Sequence, residues 1–314
     1  MSPFPIASIL ALFVVAGGDD SDPQRGQAPV WAEVIEWKVD PQIVKSADLR
    51  HAIDATGLPW RVRDARTRIE MLLVPPVGKS VSGVDANDRE TGSSSNAPFY
   101  LGRFEVTQQQ WACLMEDGPN YQRCVMGDRS IQEALEESGL SEGEAADVLK
   151  RHPAVGPHDA ACGVEFPVVD VSRDDCMDFC NRGGFRLPTE EEWCAAVAVD
   201  VASEWQAKLD DVAWHRHNSG LTSHAVGGKT ASILGFHDLL GNVWEWCAPP
   251  KPSSGQTDVT VDKDGRVRSQ AGTRGSLRGG SWFTRAAACR IGSRIVSGAM
   301  FPNTTFGLRV ARDP

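Results

Sequence analysis

The eight cysteines are the residues of this chain best suited to metal or redox chemistry. Their even number favours disulfides in an exported protein, and buried thiols or metal ligands in a cytosolic one. Cys113 and Cys124 flank the short segment LMEDGPNYQR, so a local disulfide is predicted if the chain is exported. Cys176 and Cys180 are four residues apart, which on one helix face suits a metal, core packing or a disulfide.

A second candidate is the pair His215 and His217, whose alternate spacing could place two imidazoles on one side of a strand. No acidic residue lies nearby at a metal-ligand spacing, so the pair is not predicted to bind a metal. The chain also contains no phosphate-binding loop, dinucleotide-binding fingerprint or serine nucleophile elbow.

The elements that must position these residues are marked by helix-capping patterns, in which a hydroxyl residue precedes a side-chain acceptor by three positions. The clearest examples are Thr107 with Gln110, Ser172 with Asp175, and Thr189 with Glu192. Strands are predicted at 69–76 and 99–106, and a hairpin over the sequence DKDG. Beyond residue 200, helix signals become rare. The pattern predicts an α+β domain with few helices and much irregular chain.

Charge and hydropathy restrict the partners and the compartment. The net charge of −10 and the lack of a long basic run argue against nucleic acid as a partner. The apolar run at 6–16 is too short to span a bilayer and precedes a polar stretch, so residues 1–18 are predicted to be a signal segment. A signal segment usually has a basic residue before its apolar run, and no Lys or Arg is found there. Two alternatives therefore remain: the run is a buried N-terminal strand, or the start of the chain is misassigned. No other stretch is predicted to span a membrane.

The remaining chain is predicted to hold one domain. Residues 19–56 form a linker and N-terminal extension, and residues 57–314 form the domain itself. A polar, acidic segment at about 127–160 is predicted to be a helical insertion at its surface. With a signal segment, the protein is expected in the periplasm or outside the cell.

Four segments in a fixed order carry a resemblance to a known family. They are FYLGRFEVTQQQW, PVVDVSRDDCMDFCNRGGFRLPTEEEW, GFHDLLGNVWEWC, and LRGGSW followed by FGLRVAR. In this order they resemble the sulfatase-modifying-factor, or formylglycine-generating-enzyme, family from about Leu58 to the C-terminus. The resemblance implies a fold similar to C-type lectins, with two helices, a twisted mixed sheet and long ordered loops.

The resemblance also implies an oxidase site. Enzymes of this family use copper(I) and oxygen to convert a sulfatase cysteine to formylglycine, and two thiols after the GGSW strand hold the metal. The matching positions here are Thr284 and Cys289, with Ser281 and Trp282 beside them. A hydroxyl is a poor copper(I) ligand, so copper is not expected and Cys289 is interpreted as vestigial.

Calcium is the second implication of the resemblance. The matching ligands are the Asp238 side chain, the carbonyls of Gly241 and Val243, and the Glu245 carboxylate. Hard oxygen donors with two negative charges suit this ion. In the alternative interpretation, Asp238 caps the turn and Glu245 pairs with an arginine. A second calcium site of the family is not expected, because the segment AVGGKTASIL offers no acid.

The resemblance leaves further expectations. Cys247 and Cys289 lie on segments expected to be adjacent, so a disulfide between them is possible. Arg290 and Arg294 are expected to be structural. A related branch of the family performs sulfur–histidine chemistry with an added helical domain that holds a three-histidine iron site. The sequence has no H-x-x-x-E-x-H-like run, so this branch is not expected.

We therefore expect a non-catalytic or re-purposed member of the family that binds a protein or peptide in the groove used for the sulfatase peptide. The alternatives are a formylglycine-generating oxidase and a structural partner domain of an envelope assembly.

Overall fold

The computed structural model describes residues 26–76, 82–84, 90–92, 97–115, 165–198, 208–248, 259–261, 267–269, 274–298 and 303–314. The predicted signal segment and the predicted insertion at about 127–160 lie outside these residues. In the part of the chain that the structure describes, no helix is both long and apolar enough to cross a membrane.

The larger sheet has five strands in the order β1-β2-β3-β6-β13, with every neighbouring pair antiparallel. Its strands are β1 (Ala32–Glu36), β2 (Arg61–Asp64), β3 (Glu70–Val74), β6 (Phe99–Gly102) and β13 (Ala311–Arg312). The strands β3 and β6 carry the predicted apolar runs and are almost completely buried. This sheet therefore forms one wall of the core.

The second sheet has four strands in the order β11-β10-β7-β12 and is mixed, since β12 runs parallel to β7. Its strands are β7 (Trp244–Cys247), β10 (Arg274–Arg278), β11 (Arg294–Gly298) and β12 (Phe306–Gly307). Two short hairpins complete the strands: β4 (Ser82–Val84) with β5 (Glu90–Gly92), and β8 (Val259–Val261) with β9 (Val267–Ser269). The last pair flanks the sequence DKDG, as the predicted hairpin requires.

Three of the five described α-helices, α2, α3 and α4 in the list that follows, begin where the capping pattern predicts. They are α1 (Ala47–Asp54), α2 (Gln108–Ala112), α3 (Arg173–Gly183), α4 (Glu190–Ala198) and α5 (Leu209–Val212), with a 3₁₀ turn at Ala286–Ala288. Thr107 and Ser172 form complete capping boxes at α2 and α3, and Thr189 exchanges hydrogen bonds with Glu192 at α4. The α+β class is confirmed.

The predicted extension at 19–56 contributes to the same core. Strand β1 pairs with β2, and Val44 and Ile53 have no exposed surface. Trp60, Trp193 and Trp246 are also fully buried. These large side chains fill the space between the two sheets and the two longest helices in the core.

Candidate functional site

The loop after β10 begins with two glycines, and the second of them packs against Cys289. Gly279 and Gly280 have φ angles of 97° and 92°, a region that side chains with a Cβ rarely adopt. A Cβ on Gly280 would lie 2.8 Å from Cys289 Sγ. Glycine at position 280 is therefore needed for the strand end to pack against Cys289.

Ser281, Thr284 and Cys289 lie together, as the sequence predicts. Thr284 Oγ1 accepts a hydrogen bond from the Ser281 backbone N–H at 3.0 Å and lies 3.0 Å from Ser281 Oγ. Cys289 has no exposed surface, and burial raises its pKa to about 12 despite a hydrogen bond from the Ser281 backbone. The thiol is therefore protonated at neutral pH, and the hydroxyl is engaged with Ser281.

Trp282 connects this loop to the neighbouring GNVWEW turn. Its backbone N–H donates to the Asn242 carbonyl at 2.8 Å, and its indole Nε1 donates to the Thr304 carbonyl at 3.4 Å. The side chain is 1% exposed. These contacts give Trp282 a packing role.

An open cavity of about 410 Å³ borders the same loop. The 3₁₀ turn between positions 284 and 289 forms one wall through Ala286 and Ala287, and α5 with its flanking residues forms the other. Both alanines are small, which leaves the cavity wide at this wall. The cavity is large enough for part of a peptide or a small molecule.

His215 lines the cavity but does not join a metal cluster. Its Nε2 lies 2.7 Å from Asp210 Oδ1, and its Nδ1 accepts from the His217 backbone N–H at 3.3 Å. Burial lowers the pKa of His215, although Asp210 opposes the shift. The sequence interpretation, which found no acid near this pair, missed Asp210. Among the described residues, no group of three or more His, Cys, Asp or Glu side chains could hold a metal ion.

Behind the loop lies a buried ion pair between Glu245 and Arg309, both at 0% exposure. Arg309 Nη2 donates to Glu245 Oε1 at 2.7 Å, and Arg309 Nε lies 3.0 Å from both carboxylate oxygens. The Trp193 indole donates to Glu245 Oε2 at 2.7 Å. Arg309 also donates to the carbonyls of Gly102 and His237. This geometry is the arginine pairing considered as an alternative for Glu245.

Asp238 has one engaged oxygen and one free oxygen. Its Oδ2 accepts from the Gly227 backbone N–H at 2.6 Å, while Oδ1 is buried and has no hydrogen-bond donor among the described residues. Burial raises the pKa of Asp238 to about 6. Asp238 has a φ of 55°, and Asn242 in the same turn has a φ of 52°. Both residues lie in the left-handed region, which Asp and Asn adopt more readily than most other residues with a Cβ.

Glu105 is a third buried acid at this place, and the sequence interpretation did not identify it. Its Oε2 accepts from Asn242 Nδ2 at 2.6 Å and its Oε1 from the Val243 N–H at 3.0 Å. Burial, and then the charges of Asp238 and Glu245, raise its pKa well above the usual value. The sequence signal that could have identified Glu105 is an acidic residue between Phe104 and Val106, at the end of the strand predicted at 99–106.

Comparison with known proteins places this architecture in a family. The model of the sulfatase-modifying factor enzyme 1-like domain matches residues 60–314. The inactive C-alpha-formylglycine-generating enzyme 2 of Mus musculus is 31% identical over 249 residues, which cover 67% of this chain and 74% of that protein. The chain belongs to the sulfatase-modifying factor family.

Other similar proteins have names that indicate different activities. The hercynine oxygenase of Mycobacterium tuberculosis is 28% identical over 231 residues, or 67% of this chain. The chain spans about half of that relative's length, 53%. Among solved structures, Treponema denticola variable protein 1 matches with a TM-score of 0.53 at 22% identity. The match covers 80% of this chain and 98% of the Treponema chain. That likeness shows the fold, and none of these matches assigns a reaction.

The two positions that match the copper-binding thiols of the family hold one buried thiol, Cys289, and one hydroxyl, Thr284. Cys289 supplies the only soft donor among the residues matched to the pair, and Thr284 is hydrogen-bonded to Ser281. This donor set does not fit a two-thiolate copper(I) site.

The calcium position fits a cation better. Three buried carboxyl groups face one buried guanidinium, and Asp238 keeps a free oxygen. Glu245 shares its carboxylate with Arg309, so Asp238 would be the less constrained ligand. Asp238, Glu245 and the carbonyls of Gly241 and Val243 would hold the ion, whose positive charge offsets the excess of acids.

The cysteines form no disulfide in the part of the chain that the structure describes. Cys176, Cys180, Cys194, Cys247 and Cys289 are buried free thiols. The suggested Cys247–Cys289 pair is therefore wrong. Cys176 and Cys180 lie in the core, and burial raises the pKa of both thiols. Cys113 is an exposed thiol whose predicted partner, Cys124, lies outside the described residues.

The arginines after Cys289 have different surroundings. Arg294 Nε lies 2.8 Å from Glu190 Oε2, and Arg278 pairs with the same carboxylate. Arg290 is exposed, and its carbonyl accepts from the Ser293 N–H. Arg294 thus anchors β11 to the start of α4, which agrees with a structural role.

Proposed function

We propose that this protein is a non-catalytic member of the sulfatase-modifying factor family that binds a protein or peptide in the cavity beside the 284–289 loop. The observation that carries the proposal is the Thr284 hydroxyl at the first position of the copper pair. This hydroxyl is hydrogen-bonded to Ser281, so the position matched to the first thiol offers no soft donor beside Cys289.

Two further observations support this proposal. The mouse relative at 31% identity is named as inactive. The Cys289 thiol has a pKa of about 12, so little thiolate is present for metal binding or for thiol chemistry at neutral pH. The fold remains available for binding, because the cavity of about 410 Å³ lies next to the altered pair.

Copper binding and turnover test the absence of oxidase chemistry. The wild-type protein, Thr284→Cys and the control Thr284→Ser are titrated with copper(I) under reducing conditions against a chromogenic chelator. We expect only Thr284→Cys to gain affinity, on the order of a hundredfold, because it restores a pair of soft thiolates. Each protein is then incubated with a cysteine-containing sulfatase peptide, and the product is weighed by mass spectrometry. Formation of the aldehyde by wild type at enzymatic rates would refute the proposal.

Peptide selection tests the cavity as the binding site. A displayed random peptide library is selected on wild type and the recovered peptides are measured by fluorescence anisotropy. Ala287→Trp fills the cavity from its wall, whereas Ala55→Trp adds the same side chain at an exposed position after α1. We expect at least a tenfold loss of affinity for the first variant only. Equal binding by both variants argues against this cavity.

We also propose that the protein binds one calcium ion through Asp238, Glu245 and the carbonyls of Gly241 and Val243. The excess of buried carboxyl groups and the free oxygen of Asp238 support the ion.

We further propose that the protein is exported after loss of residues 1–18. The intact mass of the protein recovered from its natural source tests this cleavage.

A further inference from the structure

The peptide between Asn242 and Val243 is fixed at both of its polar groups. Its N–H donates to Glu105 Oε1 at 3.0 Å, and its carbonyl accepts from the Trp282 N–H at 2.8 Å. The N–H and C=O of a trans peptide point in opposite directions, so these two bonds fix the peptide plane. This peptide separates the two carbonyl groups, of Gly241 and Val243, that are proposed to face the ion.

The side chain of Asn242 is fixed by the same carboxyl group. Its Nδ2 donates to Glu105 Oε2 at 2.6 Å and to the His224 carbonyl at 3.2 Å, and its Oδ1 accepts from the His224 N–H at 2.9 Å. Asn242 has a φ of 52°, in the left-handed region, and these contacts help to hold the turn in that conformation. Glu105 therefore holds the turn through a main-chain and a side-chain bond.

The charge of Glu105 is also not neutralised by an ion pair in the part of the chain that the structure describes. Glu105, Asp238 and Glu245 are 1%, 2% and 0% exposed, and Arg309 is the buried cation beside them. When all three acids are ionised, they exceed the one guanidinium by two negative charges, which is costly in the interior unless a cation joins the group. A divalent ion with a preference for oxygen meets that need.

We propose that Glu105 is a positioning residue of the calcium site, one that orients the Gly241–Val243 turn and increases affinity through its negative charge. The proposal depends on the calcium site proposed above. It assigns Glu105 a role that the sequence motif alone does not indicate.

Isothermal titration of the calcium-stripped protein with calcium chloride tests the assignment. Glu105→Gln removes the charge and places an amide donor against the Asn242 amide, so affinity should fall at least tenfold. Glu33→Gln is the matched control, because it removes one charge from a partly exposed acid of β1 that pairs with Arg68. We expect the control to bind calcium as wild type does.

The outcomes separate the site from the role of Glu105. If wild type binds no calcium, both the site and this inference fail. If wild type binds calcium and Glu105→Gln binds it equally well, the site stands and the role of Glu105 is refuted. Circular dichroism checks that each variant is folded. If Glu105→Gln does not fold, Glu105→Asp is measured instead, because its side chain is one methylene shorter and its carboxyl group no longer reaches the same contacts. Calcium affinity equal to wild type in that variant would overturn the inference.

Discussion

Replacing Arg309 by Met should strongly destabilise this protein. Arg309 and Glu245 are both completely buried, and three donor–acceptor contacts of 2.7 to 3.0 Å join them. Breaking a buried ion pair from one side costs roughly 3–5 kcal/mol, because the remaining charge has no partner. The carbonyls of Gly102 and His237 lose their donor as well.

The two effects together predict a loss of at least about 4 kcal/mol. A domain of this kind has a free energy of unfolding of about 5–15 kcal/mol, so a loss of this size is at least about a quarter of the total. Urea unfolding followed by tryptophan fluorescence under reducing conditions measures the change. The double variant Glu245→Gln with Arg309→Met removes the stranded charge and should recover part of the loss.

Arg68 provides the matched control for this experiment. It pairs with Glu33 at 2.7 Å, but its side chain is 53% exposed. Arg68→Met should therefore change the free energy of unfolding by less than about 1 kcal/mol. If Arg309→Met also loses less than about 1 kcal/mol, the buried pair does not stabilise the fold in the way described here.

Two other perturbations follow from the structure. Burial alone would raise the pKa of Glu70, but hydrogen bonds from Arg63 and Arg61 lower it to about 2, so its stabilisation is present above the unfolded value of 4.5 and is lost as pH falls towards 2. Glu70→Gln should flatten the stability profile in that window, and an unchanged acid limb in urea titrations would contradict this. Gly280→Ala should cost at least about 2 kcal/mol, because its φ is 92° and the added Cβ meets Cys289 Sγ. Adding Cys289→Ala should recover only part of that cost; full recovery would show that backbone strain is absent.

Local chemistry in the sequence was enough to predict the helix starts. Thr107, Ser172 and Thr189 cap α2, α3 and α4 because a capping bond involves residues only three positions apart. The family followed from the order of four segments, and the juxtaposition of Ser281, Thr284 and Cys289 followed from their nearness in one loop.

The tertiary structure decided the contacts between distant segments. Glu105 is 137 positions from Asn242, and Arg309 is 64 from Glu245, so no local pattern reveals that they meet. The same reason explains why the suggested Cys247–Cys289 disulfide was wrong: adjacent segments do not fix the distance or direction that a disulfide requires. The sequence by itself determined the residue types available at the site, including a hydroxyl where a thiol was expected. Packing of the two sheets determined which buried charges face one another, since burial and partner choice are properties of the folded core.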